Sequence, residues 1–347
     1  MRRLCLIFLV LFAGTYLANA QVQVGEKAKL SGLLFGDYFW MAENHDPDLE
    51  GENGFWIRRI YLTYDRELSD SFSARVRLEM SGEGDFVSSA KMRPVVKDAY
   101  LEWERGEHAF TAGISKTPTW ALVEEVWGYR SVEQTPLDLQ AFGSSRDFGI
   151  AAEGELDPDG KLQYHFMFGN GNSNNSEIDR GKKWMLSLGY QLTENVVVEV
   201  YGDWNDLEDD TDYYTLQGFV GYQSETVNAG FLYAYQKRKN FFAVVGGDLD
   251  LDLNVVSAFA NYKFSEKATG LLRIDHSFDP NPLAADNDYI PLSDEAESTF
   301  IVGGVDVTLD ERVHIIPNIE AIIYGENAFG LQPGSDLIPR LTLFFTF

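Results

Sequence analysis

The chain has 347 residues, with 28 Lys and Arg against 54 Asp and Glu, a formal net charge of −26, and one cysteine. So acidic a chain excludes non-specific nucleic-acid binding, which needs a basic surface to displace counterions. A single Cys5 excludes a disulfide framework.

The chain opens on Arg2 and Arg3, an apolar run from Leu4 to Ala13, and the small-x-small triplet Ala18-Asn19-Ala20. That order predicts a Sec-type signal peptide over 1–20, with the mature protein starting at Gln21. The apolar run is too short to span a bilayer, which takes about 20 residues. Cys5 falls inside the signal, away from the cleavage site where a lipid-acceptor cysteine would sit. With the two arginines removed, the acidic excess becomes −28. The remainder, 21–347, reads as one domain.

From there on the dominant signal is alternation with period two, the mark of half-buried strands. In 72–80, Phe72, Ala74, Val76, Leu78 and Met80 share one face; Ser73, Arg75, Arg77 and Glu79 share the other. Segments 162–168, 184–190, 227–235 and 256–264 repeat the pattern. The last strand places Leu337, Pro339, Leu341, Leu343, Phe345 and Phe347 on one face. A soluble sandwich alternates too, so alternation alone leaves both architectures open.

Three features point to the membrane. Aromatic residues cluster near the ends of the apolar faces: Tyr64, Trp103, Trp184, Tyr190, Trp204, Tyr222 and Tyr262. Connections alternate in length. Short turns at 67–71, 104–107, 157–160, 193–195, 224–226, 265–267 and 309–311 interleave with long loops at 42–53, 82–93, 116–145, 169–181, 205–212, 237–251, 279–297 and 325–336. Finally, Phe347 ends an alternating strand and is expected to be the signal read by the barrel-assembly machinery. Together these predict an all-β, transmembrane antiparallel barrel of about sixteen strands in the bacterial outer membrane.

Four short stretches run in register with a known family: Gly54-Phe55-Trp56-Ile57-Arg58-Arg59, Asp98-Ala99-Tyr100-Leu101-Glu102-Trp103, Ala112-Gly113-Ile114-Ser115-Lys116-Thr117-Pro118 and Ser145-Arg146-Asp147-Phe148-Gly149-Ile150. In order and spacing, 54–156 resembles the phosphate-selective porin O and P family. The resemblance implies a sixteen-stranded homotrimer whose third loop folds into the pore. Phosphate selectivity is not carried over. The family's lysine cluster is missing from 116–145, which holds Lys116 and Arg130 against Glu124, Glu125, Glu133 and Asp138.

In a porin the chemistry is electrostatic selection at a constriction. A connection of thirty residues is rare in a compact domain unless it works, so 116–145 is the expected constriction loop. Arg59, Arg75, Arg77, Lys183, Lys263, Arg273 and Arg340 fall on polar strand faces. A charge pointed at lipid would cost about 2–4 kcal/mol at mid-depth, so these faces are assigned to the lumen. The expected pore-lining set is Arg59, Arg75, Arg77, Glu79, Lys116, Glu124, Glu125, Arg130, Asp138, Arg273 and Arg340, a basic wall opposing an acidic loop. Ion pairing with Glu79, Asp98, Glu102, Glu199, Asp275 and Glu320 is the competing role for the basic residues.

Acidity gathers in three loops that carry no Lys or Arg: Glu43, Asp46, Asp48, Glu50 and Glu52; Asp206, Glu208, Asp209, Asp210 and Asp212; Asp279, Asp286, Asp288, Asp294, Glu295 and Glu297. Such loops are solvated surface or loose Ca2+ or Mg2+ ligands that bridge to lipopolysaccharide; no tightly bound cofactor is expected. His45, His108, His165, His276 and His314 stand in no serine-histidine-aspartate pattern. A barrel enzyme, or a non-conducting adhesin or structural barrel, is the alternative to a diffusion channel.

Overall fold

A computed structural model describes residues 21–23, 25–82, 86, 91–244, 247–285, 287 and 289–347, and omits the side chains of 21–23, 209 and 244. The predicted signal peptide, most of loop 82–93 and the acids Asp286 and Asp288 lie outside the described residues.

A three-residue strand, β1 (Gln21–Gln23), precedes sixteen long ones among the described residues. The first half comprises β2 (Ala28–Trp40), β3 (Asn53–Glu67), β4 (Phe72–Ser81), β5 (Arg93–Arg105), β6 (His108–Lys116), β7 (Arg146–Glu155), β8 (Leu162–Gly169) and β9 (Lys183–Thr193). The second half comprises β10 (Val196–Asn205), β11 (Tyr213–Gln223), β12 (Val227–Val244), β13 (Gly247–Ser265), β14 (Ala268–Ser277), β15 (Ser298–Asp310), β16 (Val313–Tyr324) and β17 (Asp336–Thr346). From β2 onward each strand pairs antiparallel with its neighbour in sequence, and β17 pairs with β2, Arg340 opposite Phe39 through Thr346 opposite Leu33. This last ladder closes the barrel and leaves no sheet edge, the condition for a β-protein to stand in lipid.

The seam is finished by Phe347. Its backbone exchanges two hydrogen bonds with Gly32, 2.7 and 2.9 Å, and β1 continues the same ladder along Lys29–Ser31. The Phe347 ring lies over Gly32 so closely that a Cβ there would sit 2.3 Å from it. A side chain at 32 would push the ring off this position.

The seven short turns fall where alternation predicts. Of the long loops, 237–251 is a correction. β12 and β13 stay paired to Val244 and Gly247, so this stretch is a hairpin extended past its neighbours. Lys237 binds Asp250 across it at 2.8 Å.

The outer wall is apolar: Val76, Leu101, Ile150, Leu186, Val200, Leu216, Phe231, Ile274, Ile319 and Leu341 are all exposed. Aromatics mark both rims. Trp103 stands between Phe72 and Phe110 near the turns, while Phe168 and Trp184, 4.4 Å apart, stand near the loops. Tyr222 and Tyr214 at the ends of β11 are eight residues apart, a height of about 20 Å for a tilted strand, close to the apolar thickness of an outer-membrane barrel.

Candidate functional site: the barrel lumen and its inward loops

The lumen has two unlike walls. From β3 to β7 it is charged, with Arg59, Arg75, Arg77, Lys97, Glu79, Asp98 and Glu153 turned inward. From β10 to β17 it is mixed: Val197, Phe219, Leu232, Leu253, Val255, Phe259, Val302, Ile316 and Ile338 are buried in one apolar cluster, interleaved with buried polar side chains such as Glu199, Asp203, Gln236, Asp275 and Glu320.

The third loop covers this apolar cluster. Its helix α1 (Ala121–Trp127) ends at Gly128 in the left-handed region, φ 71°. A second short helix, α2 (Pro136–Leu139), starts on a proline, whose missing N–H is no loss there. Trp120, Val123, Val126, Trp127, Val132, Leu137, Leu139 and Phe142 are all buried against the strands. The Trp127 ring meets Phe259 at 5.3 Å, and its carbonyl accepts from Asn261 at 2.7 Å. Gln236 donates to the Phe142 carbonyl at 2.6 Å. The loop thus covers the apolar cluster of this wall with apolar side chains of its own.

The loop before β15 (278–297) also enters the lumen, correcting the view of 279–297 as wholly external. Asn281, Ala284, Tyr289, Ile290 and Leu292 are buried. Asn281 and Asn287 donate to Gln140 and Gln134 of the third loop at 2.9 and 2.8 Å. Asp294, Glu295 and Glu297 stay exposed outside.

Two β-bulges feed the charged wall. Opposite Phe35 and Gly36, the extra residue of β3 is Arg58, so both Arg58 and Arg59 turn inward. A Cβ on Gly36 would lie 2.3 Å from the Trp56 carbonyl oxygen, so the bulge needs glycine there. In β5 the extra residue between Asp98 and Val96 is Lys97, which reaches Glu79 at 2.9 Å. Arg58, Lys97, Arg146 and Tyr289 are absent from the sequence-derived set. The bulges do leave a trace in sequence: the outward apolar spacing slips by one residue between Ile57 and Ile60, and again between Val96 and Ala99.

The named residues do not share one site. Arg59, Arg77, Glu124 and Arg130 line one cavity of about 330 Å3 with Tyr61, Arg146, Asp306 and His314. Arg59 lies 3.5 Å from Glu79, Arg77 lies 3.3 Å from Asp98, and Arg146 also binds Asp98. Arg130 is held by Asp138 at 3.2 Å and Glu124 at 3.6 Å, all on the third loop. The loop therefore meets the basic wall with a cation as well as carboxylates. Arg75 sits nearer the turns, paired with Asp65 at 2.6 Å.

A second cavity of about 330 Å3 near the turns holds Lys116, Glu125, Glu153, His165 and Glu199. Lys116 pairs with Glu153 at 2.8 Å. Burial holds the Glu125 carboxyl above its ordinary value, and Lys116 pulls the other way. A third cavity of about 200 Å3, on the loop side, is lined by Ser144, Asp147, Lys183, Tyr213 and Arg238, and shares Arg146 with the first.

Arg273 and Arg340 face inward but lie sealed beneath the loops, which corrects their assignment as pore-lining. Arg273 binds Asp275 at 2.6 Å and the Gln134 carbonyl of the third loop. Arg340 binds Glu320 at 2.7 Å, Asp37 at 2.9 Å and the Tyr289 carbonyl at 2.8 Å. Arg58 shares Asp37 at 2.8 Å and donates to the Ser131 and Val132 carbonyls. These three arginines clamp the loops. Of the two further basic residues assigned to the lumen, Lys183 pairs with Asp203 at 2.9 Å and Lys263 with Glu266 at 3.1 Å.

Among the described residues, no three His, Cys, Asp or Glu side chains converge as metal ligands. Among the described residues the histidine rings meet Asp336, Tyr164, Glu153, Thr299 and Asp306; His165 stands opposite Ser187 in the β8–β9 ladder, but no histidine ring hydrogen-bonds a serine side chain.

No protein-family model matches the chain, and no curated protein matches it. Solved structures do. An anion-selective porin from Comamonas acidovorans aligns with TM-score 0.67 and 12% identity over 92% of this chain and 99% of that one. OmpF of Salmonella typhi, in complex with daunomycin, gives 0.64 and 13% over 94% and 100%. The outer membrane channel DcaP of Acinetobacter baumannii gives 0.63 and 12% over 94% and 99%. Likeness at such low identity concerns the fold, and the fold of this chain is that of the porins.

Proposed function

We propose that this protein is an outer-membrane porin, a water-filled channel for passive diffusion of small hydrophilic or ionic solutes, with charges on the lumen wall and third loop selecting among them. One observation carries the reading: Arg59, Arg77, Arg130 and Arg146 line a single cavity with Glu124 and Asp306, while their partners Glu79, Asp98 and Asp138 do not line it. Basic groups that face a confined cavity act on a solute at close range, unlike loop charges screened over about 8–10 Å. The channel therefore prefers small anions despite its negative net charge. The anion-selective name of the Comamonas porin is in keeping with this. The motifs of 54–156 support kinship with the phosphate-selective porin O and P family, without phosphate specificity.

The rest of the proposal follows from the barrel. The chain is exported by its signal peptide, assembled by the barrel machinery through Phe347, and seated among outer-membrane lipids and lipopolysaccharide as a homotrimer. It performs no catalytic step. Purified protein in a planar bilayer should give steady conductance, with a reversal potential in a KCl gradient favouring chloride. A silent bilayer with folded protein would overturn the channel, and a potassium-favouring potential would overturn the anion preference.

A further inference from the structure

Among the described residues, Tyr289 is the one aromatic side chain that three arginines approach together. Arg58 lies 5.1 Å, Arg130 5.2 Å and Arg59 5.5 Å from its ring centroid. The side chain is 1% exposed, its ring meets the edge of Trp56 at 5.6 Å, and its hydroxyl has no hydrogen-bond partner among the described residues. Burial pushes the phenol above its ordinary value, with Arg59, Arg130 and Arg58 pulling down, so the ring is neutral. The arginines come from two elements: β3 through its bulge, and the third loop, which Arg58 also binds through the Ser131 and Val132 carbonyls. Each has its own carboxylate, Asp37, Glu79 or Asp138. Cations gathered this closely repel one another; the carboxylates relieve part of that repulsion, and the negative face of a neutral ring relieves more of it without adding a further charge. A further carboxylate in the same place would add a negative charge to the cluster.

We propose that Tyr289 is a selectivity-positioning residue: its ring, delivered by the loop before β15, holds Arg59 and Arg130 together at the constriction and so sets the anion preference. This rests on the anion-preferring channel proposed above. The position is itself fixed from below, because the Tyr289 carbonyl is bound by Arg340. The ring acts and the hydroxyl does not, since the hydroxyl has no hydrogen-bond partner among the described residues.

The test compares Tyr289→Phe with Tyr289→Leu in planar bilayers, reading permeability ratio and single-channel conductance separately. Phe keeps the π face and should keep the wild-type ratio. Leu keeps an apolar side chain without that face, and its anion-to-cation ratio should fall about threefold. A Leu variant with raised conductance and an unchanged ratio would reduce Tyr289 to a filler and overturn the inference, as would a Phe variant that loses the ratio. A wild-type channel that favours potassium overturns the anion preference instead, and the Phe-to-Leu difference still reads the ring. A silent wild type overturns both.

Discussion

The two halves of the lumen answer one problem in opposite ways. From β3 to β7 the inner wall is charged and stays wet, each cation held by a carboxylate on a neighbouring strand or its own. From β10 to β17 the inner wall carries an apolar cluster among buried polar and charged side chains, with lipid outside and the inward loops packed on it. The difference teaches where a pore can be. In the proposed channel, solutes pass along the charged wall, because the opposite wall is occupied by the loops it binds. The arginines at the boundary, Arg58, Arg273 and Arg340, clamp those loops and line no passage.

That division can be broken most forcefully at the clamp. Asp37→Ala strips the shared carboxylate from Arg58 and Arg340, both fully buried. Leaving a buried charge unpaired costs about 3–5 kcal/mol. We expect a folded barrel whose loops unseat, read as larger, noisier conductance and faster protease cleavage between 128 and 135. Quiet wild-type conductance would show that the clamp is not what holds them.

Trp127→Ala tests the apolar side. Its ring lies between Phe259, Tyr129 and the Arg273 guanidinium, and removing it should weaken loop docking by about 3–4 kcal/mol. Channel noise should rise while the permeability ratio changes less than for the arginine variants. A ratio change larger than theirs would move selectivity to the apolar side.

The charged wall is sharpened by graded neutralisation. Arg59→Gln with Arg77→Gln should lower the anion-to-cation ratio by about tenfold, because both face the same confined cavity. Arg75→Gln should lower it by about twofold or less, since Arg75 pairs with Asp65 at a more solvated position. Equal effects would place the constriction nearer the turns. Least of all, Arg180→Gln, on a loop with its side chain 96% exposed, should leave the reversal potential unchanged at physiological salt.

Much of the barrel was legible beforehand because a strand's side chains alternate and lipid demands apolar residues on one face. Leu216, Val220 and Tyr222 announce that face without tertiary knowledge. Loop rhythm gave the strand order, and the length of 116–145 marked the inward loop. The site was less legible. Alternation assigns Arg273 and Arg340 to the lumen, but not what covers them once they are there. It cannot carry phase through a bulge, so Arg58 and Lys97 were missed, although the slipped spacing from Ile57 to Ile60 was present. Nor does any local signal connect Tyr289 to Arg59 and Arg130, which lie far away in the chain. Sequence by itself determined which face of each strand meets lipid, because that depends on side chains two residues apart. Only the tertiary structure decided which inward residues meet solute, because a lumen is shared by all sixteen strands and by whatever loops fold back into it.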